Sequence, residues 1–256
     1  MEFIYYIMAG AGVGLAVGLT GVGGGSLMTP LLLWFGIPLH IAVGTDLLFA
    51  AITKSGGVVV HSVQKSVRWD LVVLLGIGSL PSAGITILAL YFLFESPQQY
   101  AGIITSTLGL TLILTSAAIL FRKRLSEMAG RSQHINEANL RLLTPVLGAV
   151  LGVLVTLSSV GAGAIATALL MIVYPKLQGL RVVGTDIAHA VPLTLFAGLG
   201  HFYLGNVDLM LLAALLVGSL PAVSIGSRLG KYLPDRFMKP LLATMLCGIG
   251  IKFAFF

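Results

Sequence analysis

A chain of 256 residues with 57% hydrophobic and only 9% charged residues lies outside the range of soluble domains. Its mean hydropathy of +1.02 agrees and makes it an integral membrane protein. A formal charge of +6 could suggest nucleic acid, but the basic residues fall in short segments between apolar runs, the pattern of membrane topology.

The N-terminus, Met1-Glu2-Phe3-Ile4-Tyr5-Tyr6, lacks the basic start of a cleaved signal and reads as the first membrane segment. Windows of apolar residues then predict five segments in each half of the chain. They are 3–19, 26–36, 40–61, 70–93 and 98–121, followed after a polar linker by 140–157, 163–174, 181–203, 207–227 and 236–255. The expected fold is all-α, with about eight to ten membrane segments. A glycine-rich break, Thr20-Gly21-Val22-Gly23-Gly24-Gly25-Ser26, separates the first two segments. Irregular backbone at membrane depth is tolerated only where it is buried in protein or lines a cavity, so the break is expected at a ligand. The second segment is too short to cross a bilayer alone, so the pair reads either as a re-entrant hairpin or as two full spans, and either way the chain returns to its starting side.

The second half repeats the first. Ser158-Ser159-Val160-Gly161-Ala162-Gly163-Ala164 aligns with Thr20 to Ser26, Val183-Gly184-Thr185-Asp186 with Val43 to Asp46, and Gly218-Ser219-Leu220-Pro221 with Gly78 to Pro81. The offset stays at about 138 to 140 residues, which marks an internal duplication. The units are expected at 1–121 and 140–256, joined by a cytoplasmic linker at 122–139. Thirteen of the fifteen Lys and Arg residues fall in loops on one side, including Lys65, Arg68, Arg122, Lys176, Arg181 and Arg228. The positive-inside rule makes that side cytoplasmic and puts both termini outside. Each unit then crosses an odd number of times plus a hairpin, so the second is inverted relative to the first. That is an architecture of secondary transporters, whose substrates bind near the midplane where broken helices meet.

Several residues could carry chemistry. A half-helix starting at either break points unpaired N–H groups and a positive dipole end inward, an anion site. Thr20, Gly21, Gly23, Gly24, Gly25, Ser26, Ser158, Ser159, Gly161 and Gly163 are its candidate members. Glycines also serve close helix packing, and most of the 32 are assigned to it. Lys54, midway along its segment, is a candidate by default, because a cation at membrane depth is costly. It lies eight residues from Asp46, about 12 Å along a helix and too far for a direct pair. Thr194 takes its place in the second unit. Asp46 and Asp186 follow Gly-Thr near helix starts and read either as N-caps or as gating or proton-handling carboxylates. His189, followed by Pro192, is a proton carrier or a histidine bonded to a neighbouring helix. His61 and His201 read as interfacial. Cys247 is alone and is assigned to packing, which excludes an internal disulfide or cysteine metal cluster.

The Gly-Val-Gly-Gly-Gly-Ser run, its copy Ser-Val-Gly-Ala-Gly-Ala, the paired Gly-Thr-Asp motifs and the basic central loop together resemble the TauE/SafE sulfite exporter family, also called the TSUP permeases. The resemblance covers the chain from Phe3 to Phe256 and implies an inner-membrane carrier of small sulfur-containing anions such as sulfite or organosulfonates. The second copy departs from the first at Ala162 and Ala164. The expected function is therefore a secondary transporter without cofactor or metal, with proton coupling through Asp46, Asp186 or His189. A passive anion channel is the alternative. An intramembrane hydrolase using Ser26 is disfavoured, because Gly24-Gly25-Ser26-Leu27-Met28 lacks the last glycine of a nucleophile elbow. A scaffold without a ligand is the remaining reading.

Overall fold

With no water at membrane depth to satisfy backbone groups, an apolar chain must close its hydrogen bonds within each segment, and every element of the described residues is a helix. A computed structural model describes residues 2–20, 25–131, 137–229 and 235–255. Ten helices follow: α1 (Glu2–Thr20), α2 (Gly25–Trp34), α3 (Leu39–Val63), α4 (Trp69–Leu93), α5 (Pro97–Arg131), α6 (Glu137–Ser158), α7 (Ala164–Val173), α8 (Gly179–Tyr203), α9 (Leu209–Leu229) and α10 (Asp235–Phe255). Each expected segment has its helix. Six of them, α3, α4, α5, α6, α8 and α9, are long and apolar enough to cross a bilayer. The segment expected as a linker is helical at both ends, because α5 runs on to Arg131 and α6 starts at Glu137. At ten residues, α2 and α7 are each about 15 Å long, half a hydrocarbon core, so neither crosses alone.

The duplication is visible as reciprocal contacts. Helix α1 packs along α9, and its counterpart α6 packs along α4, the counterpart of α9. Both seams depend on glycine. A Cβ on Gly10 would lie 2.4 Å from the Leu215 carbonyl oxygen, and one on Gly148, its counterpart, 2.2 Å from that of Leu75. Small residues at such points let helix backbones touch where lipid offers no hydrophobic drive to association.

Helices α3 and α8 are counterparts and pack on each other. The start of α3 meets the end of α8, where the Asp208 N–H donates to Thr45 at 3.1 Å. At the other end the Arg68 N–H donates to Thr185 at 3.0 Å. The two bonds are copies of one another with the halves exchanged. Counterpart helices that run antiparallel are related by a two-fold axis perpendicular to them, which lies in the membrane plane. The inverted repeat is thus built into the packing, independently of charge.

Side chains sort by face. Helix α4 presents Val73, Ile77, Ile85 and Leu88 outward at helical spacing and buries Leu71, Leu75, Ser79 and Ala83. One apolar cluster joins Met28 and Leu32 of α2 to Leu112, Leu215 and Leu246. A second joins Val43 and Leu47 of α3 to Ile104, Val155 and Leu193. The polar groups described next lie where α2, α3, α7 and α8 come together.

Candidate functional site

Helix α6 ends at Ser158 because the next residues leave helical space: Ser159 sits at φ 57, Gly161 at φ 118 and Gly163 at φ 155. A left-handed serine is strained, and such outliers persist only where their surroundings hold them. Ser158 holds this one. Its hydroxyl donates to the Leu154 and Val160 carbonyls at 2.6 and 3.1 Å and accepts from the Val160 N–H at 3.2 Å. Its hydroxyl is thus engaged with the backbone of the break. The hydroxyl of Ser159, 2% exposed, stands beside the Asp46 carboxylate without a hydrogen-bond partner. Helix α7 starts after Gly163 with no side-chain cap on its first N–H groups. An uncapped N-terminus at membrane depth carries positive partial charge toward whatever faces it.

Lys54 meets the break just before this helix start. This partly buried side chain reaches from the middle of α3 to the second break, where its Nζ donates to the Ala162 carbonyl at 2.5 Å. It makes no salt bridge, Arg68–Asp70 being the only one among the described residues. Its charge nevertheless lies within electrostatic reach of Asp46, Asp186 and His189.

The two aspartates have matching environments. Thr29 of α2 donates to Asp46 Oδ2 at 2.6 Å, and Thr167 of α7 donates to Asp186 Oδ2 at 3.0 Å. Asp46 is fully buried and Asp186 is 4% exposed, and the Oδ1 atom of each lacks a partner. The capping reading of these residues is overturned. Helix α3 is capped at Pro38 and α8 at Gln178, neither with a side-chain cap bond, so both aspartates lie well inside their helices. Gly44 and Gly184 each let the partner backbone approach, the carbonyls of Asn206 and Ser66 respectively.

His189, one turn beyond Asp186, shares a 2.8 Å hydrogen bond between its Nε2 and Ser79 of α4, while its Nδ1 is unpartnered. Thr194 is buried but gives its hydroxyl to the Ala190 carbonyl of its own helix at 2.8 Å, so it does not replace the charge of Lys54. The interfacial reading does not hold for His201. That ring is fully buried, with Nε2 against the Thr156 carbonyl at 2.9 Å and Nδ1 near Asn206 at 3.2 Å. Of the first break, Gly21, Gly23 and Gly24 lie outside the described residues; Thr20 ends α1, and Gly25 and Ser26 open α2. Sequence reasoning missed Thr29 and Thr167. Their offset of 138 residues, that of the breaks themselves, is the signal that could have found them.

A multi-pass helical bundle in which broken helices meet buried ionisable groups is the architecture of a membrane transporter. The family model described as "Sulfite exporter TauE/SafE" matches residues 6–253, and the chain belongs to that family. It is 42% identical over 248 residues to the "Probable membrane transporter protein YjnA" of Bacillus subtilis (strain 168), covering 96% of this chain and 97% of that protein. It is 28% identical to the "Probable membrane transporter protein YdhB" of the same organism, over 91% of this chain and 95% of YdhB. Similarity extends to the "Probable membrane transporter protein MJ0441" of Methanocaldococcus jannaschii, at 24% identity over 96% of this chain and 92% of that protein. No solved structure matches the chain.

Proposed function

We propose that this protein is a secondary transporter that exports small sulfur-containing anions, sulfite or organosulfonates, across the inner membrane by alternating access. Family membership supports the transporter class and the sulfur anion. The observation that carries the site is the meeting of Lys54 with the second break. A cation from one half ends at a carbonyl two residues before the uncapped N-terminus of α7 in the other. An ammonium and a helix N-terminus converging at membrane depth favour an anion. The units 1–121 and 140–256 then move against each other, with the first break (Thr20 to Ser26) as the inverted counterpart of the second. Asp46, Asp186 and His189 serve as coupling or gating groups. The basic loops face the cytoplasm and both termini face outward, as the distribution of Lys and Arg supports.

The test is sulfite flux into proteoliposomes, with sulfate and an organosulfonate as competitors. A carrier gives saturable flux and counterflow of labelled anion against its gradient, whereas a channel gives neither. Absence of flux with any sulfur anion would overturn the substrate.

A further inference from the structure

The site holds two carboxylates and one cation. Asp46 and Asp186 each use one oxygen on a threonine and leave Oδ1 unpartnered. With the Ser159 hydroxyl and His189 Nδ1, these make four of the five buried side-chain polar atoms without a hydrogen bond among the described residues; the fifth is Thr115 on α5. The charged groups that reach the carboxylates are Lys54 of α3 and, toward Asp186, Arg122 near the end of the apolar part of α5, while His189 of α8 lies within reach of Lys54. Farther along the packed helices, His61 is bonded to Ser66, His201 to Asn206 and the Thr156 carbonyl, and Tyr100 to Asn206. Leaving out Arg122, which stands at the end of the apolar part of α5, the three groups Lys54, Asp46 and Asp186 sum to +1 − 1 − 1 = −1 with both carboxylates ionised. An anion entering beside Lys54 meets a net negative charge in a poorly solvating interior. One proton brings this sum to zero, so that an anion bound beside Lys54 no longer meets a net negative charge.

We propose that Asp46 and Asp186 form a shared proton site, and that the anion binds together with a proton on this pair, so that each monoanion crosses the membrane with one proton. The inference rests on the anion-carrier reading and adds the coupling ion and its stoichiometry. The chemistry is proton transfer alone. A free Oδ1 takes a proton from water on the loading side and returns it to water on the other, and no bond to the substrate forms. Protonation also converts Oδ1 from an acceptor to a donor, so the acid can bond the anion or Ser159. Around a single lysine, two carboxylates and an anion compete for one positive charge. The anion therefore raises the proton affinity of the pair and, by reciprocity, the proton raises that for the anion. The two bind together, which makes the protein a symporter that exports the anion when its outward gradient exceeds the inward proton gradient.

The experiment uses the purified full chain and methanesulfonate, a monoanion whose charge does not change near neutral pH. Titration calorimetry in two buffers of different ionisation enthalpy reads the protons taken up per anion bound, and proteoliposome flux reads the effect of an imposed pH gradient. The expected result is an uptake of about one proton, an affinity that falls up to about tenfold per pH unit on the alkaline side, and flux that follows the proton gradient. In Asp46→Asn/Asp186→Asn the amide oxygens still accept from Thr29 and Thr167. That variant should bind methanesulfonate with a flattened pH dependence and no proton uptake. If it fails to fold, the two-buffer comparison on the wild type decides. Saturable binding and flux with zero proton uptake and no response to the gradient would overturn the symport and leave the anion carrier standing. No binding or flux of either methanesulfonate or sulfite would overturn the carrier reading and the inference with it.

Discussion

The ammonium of Lys54, carried by α3 in the first half of the chain, ends 2.5 Å from the carbonyl of Ala162 in the second. This contact ties one inverted unit to the irregular backbone of the other, at the point where an anion would find both a cation and the start of a helix with no side-chain cap. A hydrogen bond to a charged group contributes about 1.5–3 kcal/mol, or roughly 10- to 150-fold in an equilibrium. Lys54→Ala should therefore lower the apparent affinity for sulfite by at least about tenfold, measured as the concentration dependence of initial flux. Lys54→Arg keeps the charge on a bulkier head, and its flux should fall between the two. Wild-type affinity in Lys54→Ala would remove the lysine from the site.

Thr29 and Thr167 hold matching positions on the two half-helices, each donating to the aspartate of the following helix. Replacement by valine preserves shape and removes the hydroxyl, which leaves a buried carboxylate with neither oxygen bonded. The cost of such an orphaned group is about 1–3 kcal/mol, more for a charged one. Thr29→Val and Thr167→Val should each lower the melting temperature in detergent by several degrees, to similar extents. An effect of one without the other would show that the two halves are not mechanically alike.

These threonines show where the sequence stops being legible. Ten apolar segments, two breaks and the duplication are visible because periodicity and repetition are properties of the chain itself. Lys54 stands out because a cation in an apolar run has few explanations. A hydroxyl in a ten-residue helix has many, and only the fold brings Thr29 to Asp46. The Gly-Thr-Asp motif misleads for a physical reason. It has the composition of a cap, yet α3 and α8 begin at Leu39 and Gly179, and the glycine is present for a backbone contact instead. His201 misleads in the same way, since its place near a helix end suggests the interface while the packing of α6 buries it against Thr156.

That backbone contact is itself testable. A Cβ on Gly44 would lie 2.1 Å from the Asn206 carbonyl oxygen, and one on Gly184 2.8 Å from that of Ser66, whereas one on Gly12 would meet nothing within 4 Å. Overpacking costs about 1–3 kcal/mol. Gly44→Ala should thus lower the melting temperature by about 2–12 °C for a chain of this size. Gly184→Ala should act in the same direction, and Gly12→Ala should change little. Equal stability in all three would mean that α3 and α8 do not approach as closely as described.

The antiparallel pairing of α3 and α8 constrains topology before any charge rule is applied. Gly184, near the start of α8, packs on Ser66, just past the end of α3, so the loops containing Lys65 and Lys176 lie at one face of the membrane. Helix α4 leaves that face at Trp69 and is 25 residues long, enough to cross, so Glu95 lies at the opposite face. All three side chains are exposed. In a Cys247→Ser background, single cysteines replacing Lys65 and Lys176 should share one pattern toward an impermeant maleimide, and one replacing Glu95 should show the other. The Lys and Arg distribution adds the sign: in intact cells Glu95→Cys should label, and Lys65→Cys and Lys176→Cys only after permeabilisation. Labelling of Lys65→Cys and Lys176→Cys from opposite sides would break the inverted repeat. A uniform reversal of all three would keep the fold and turn the whole molecule over.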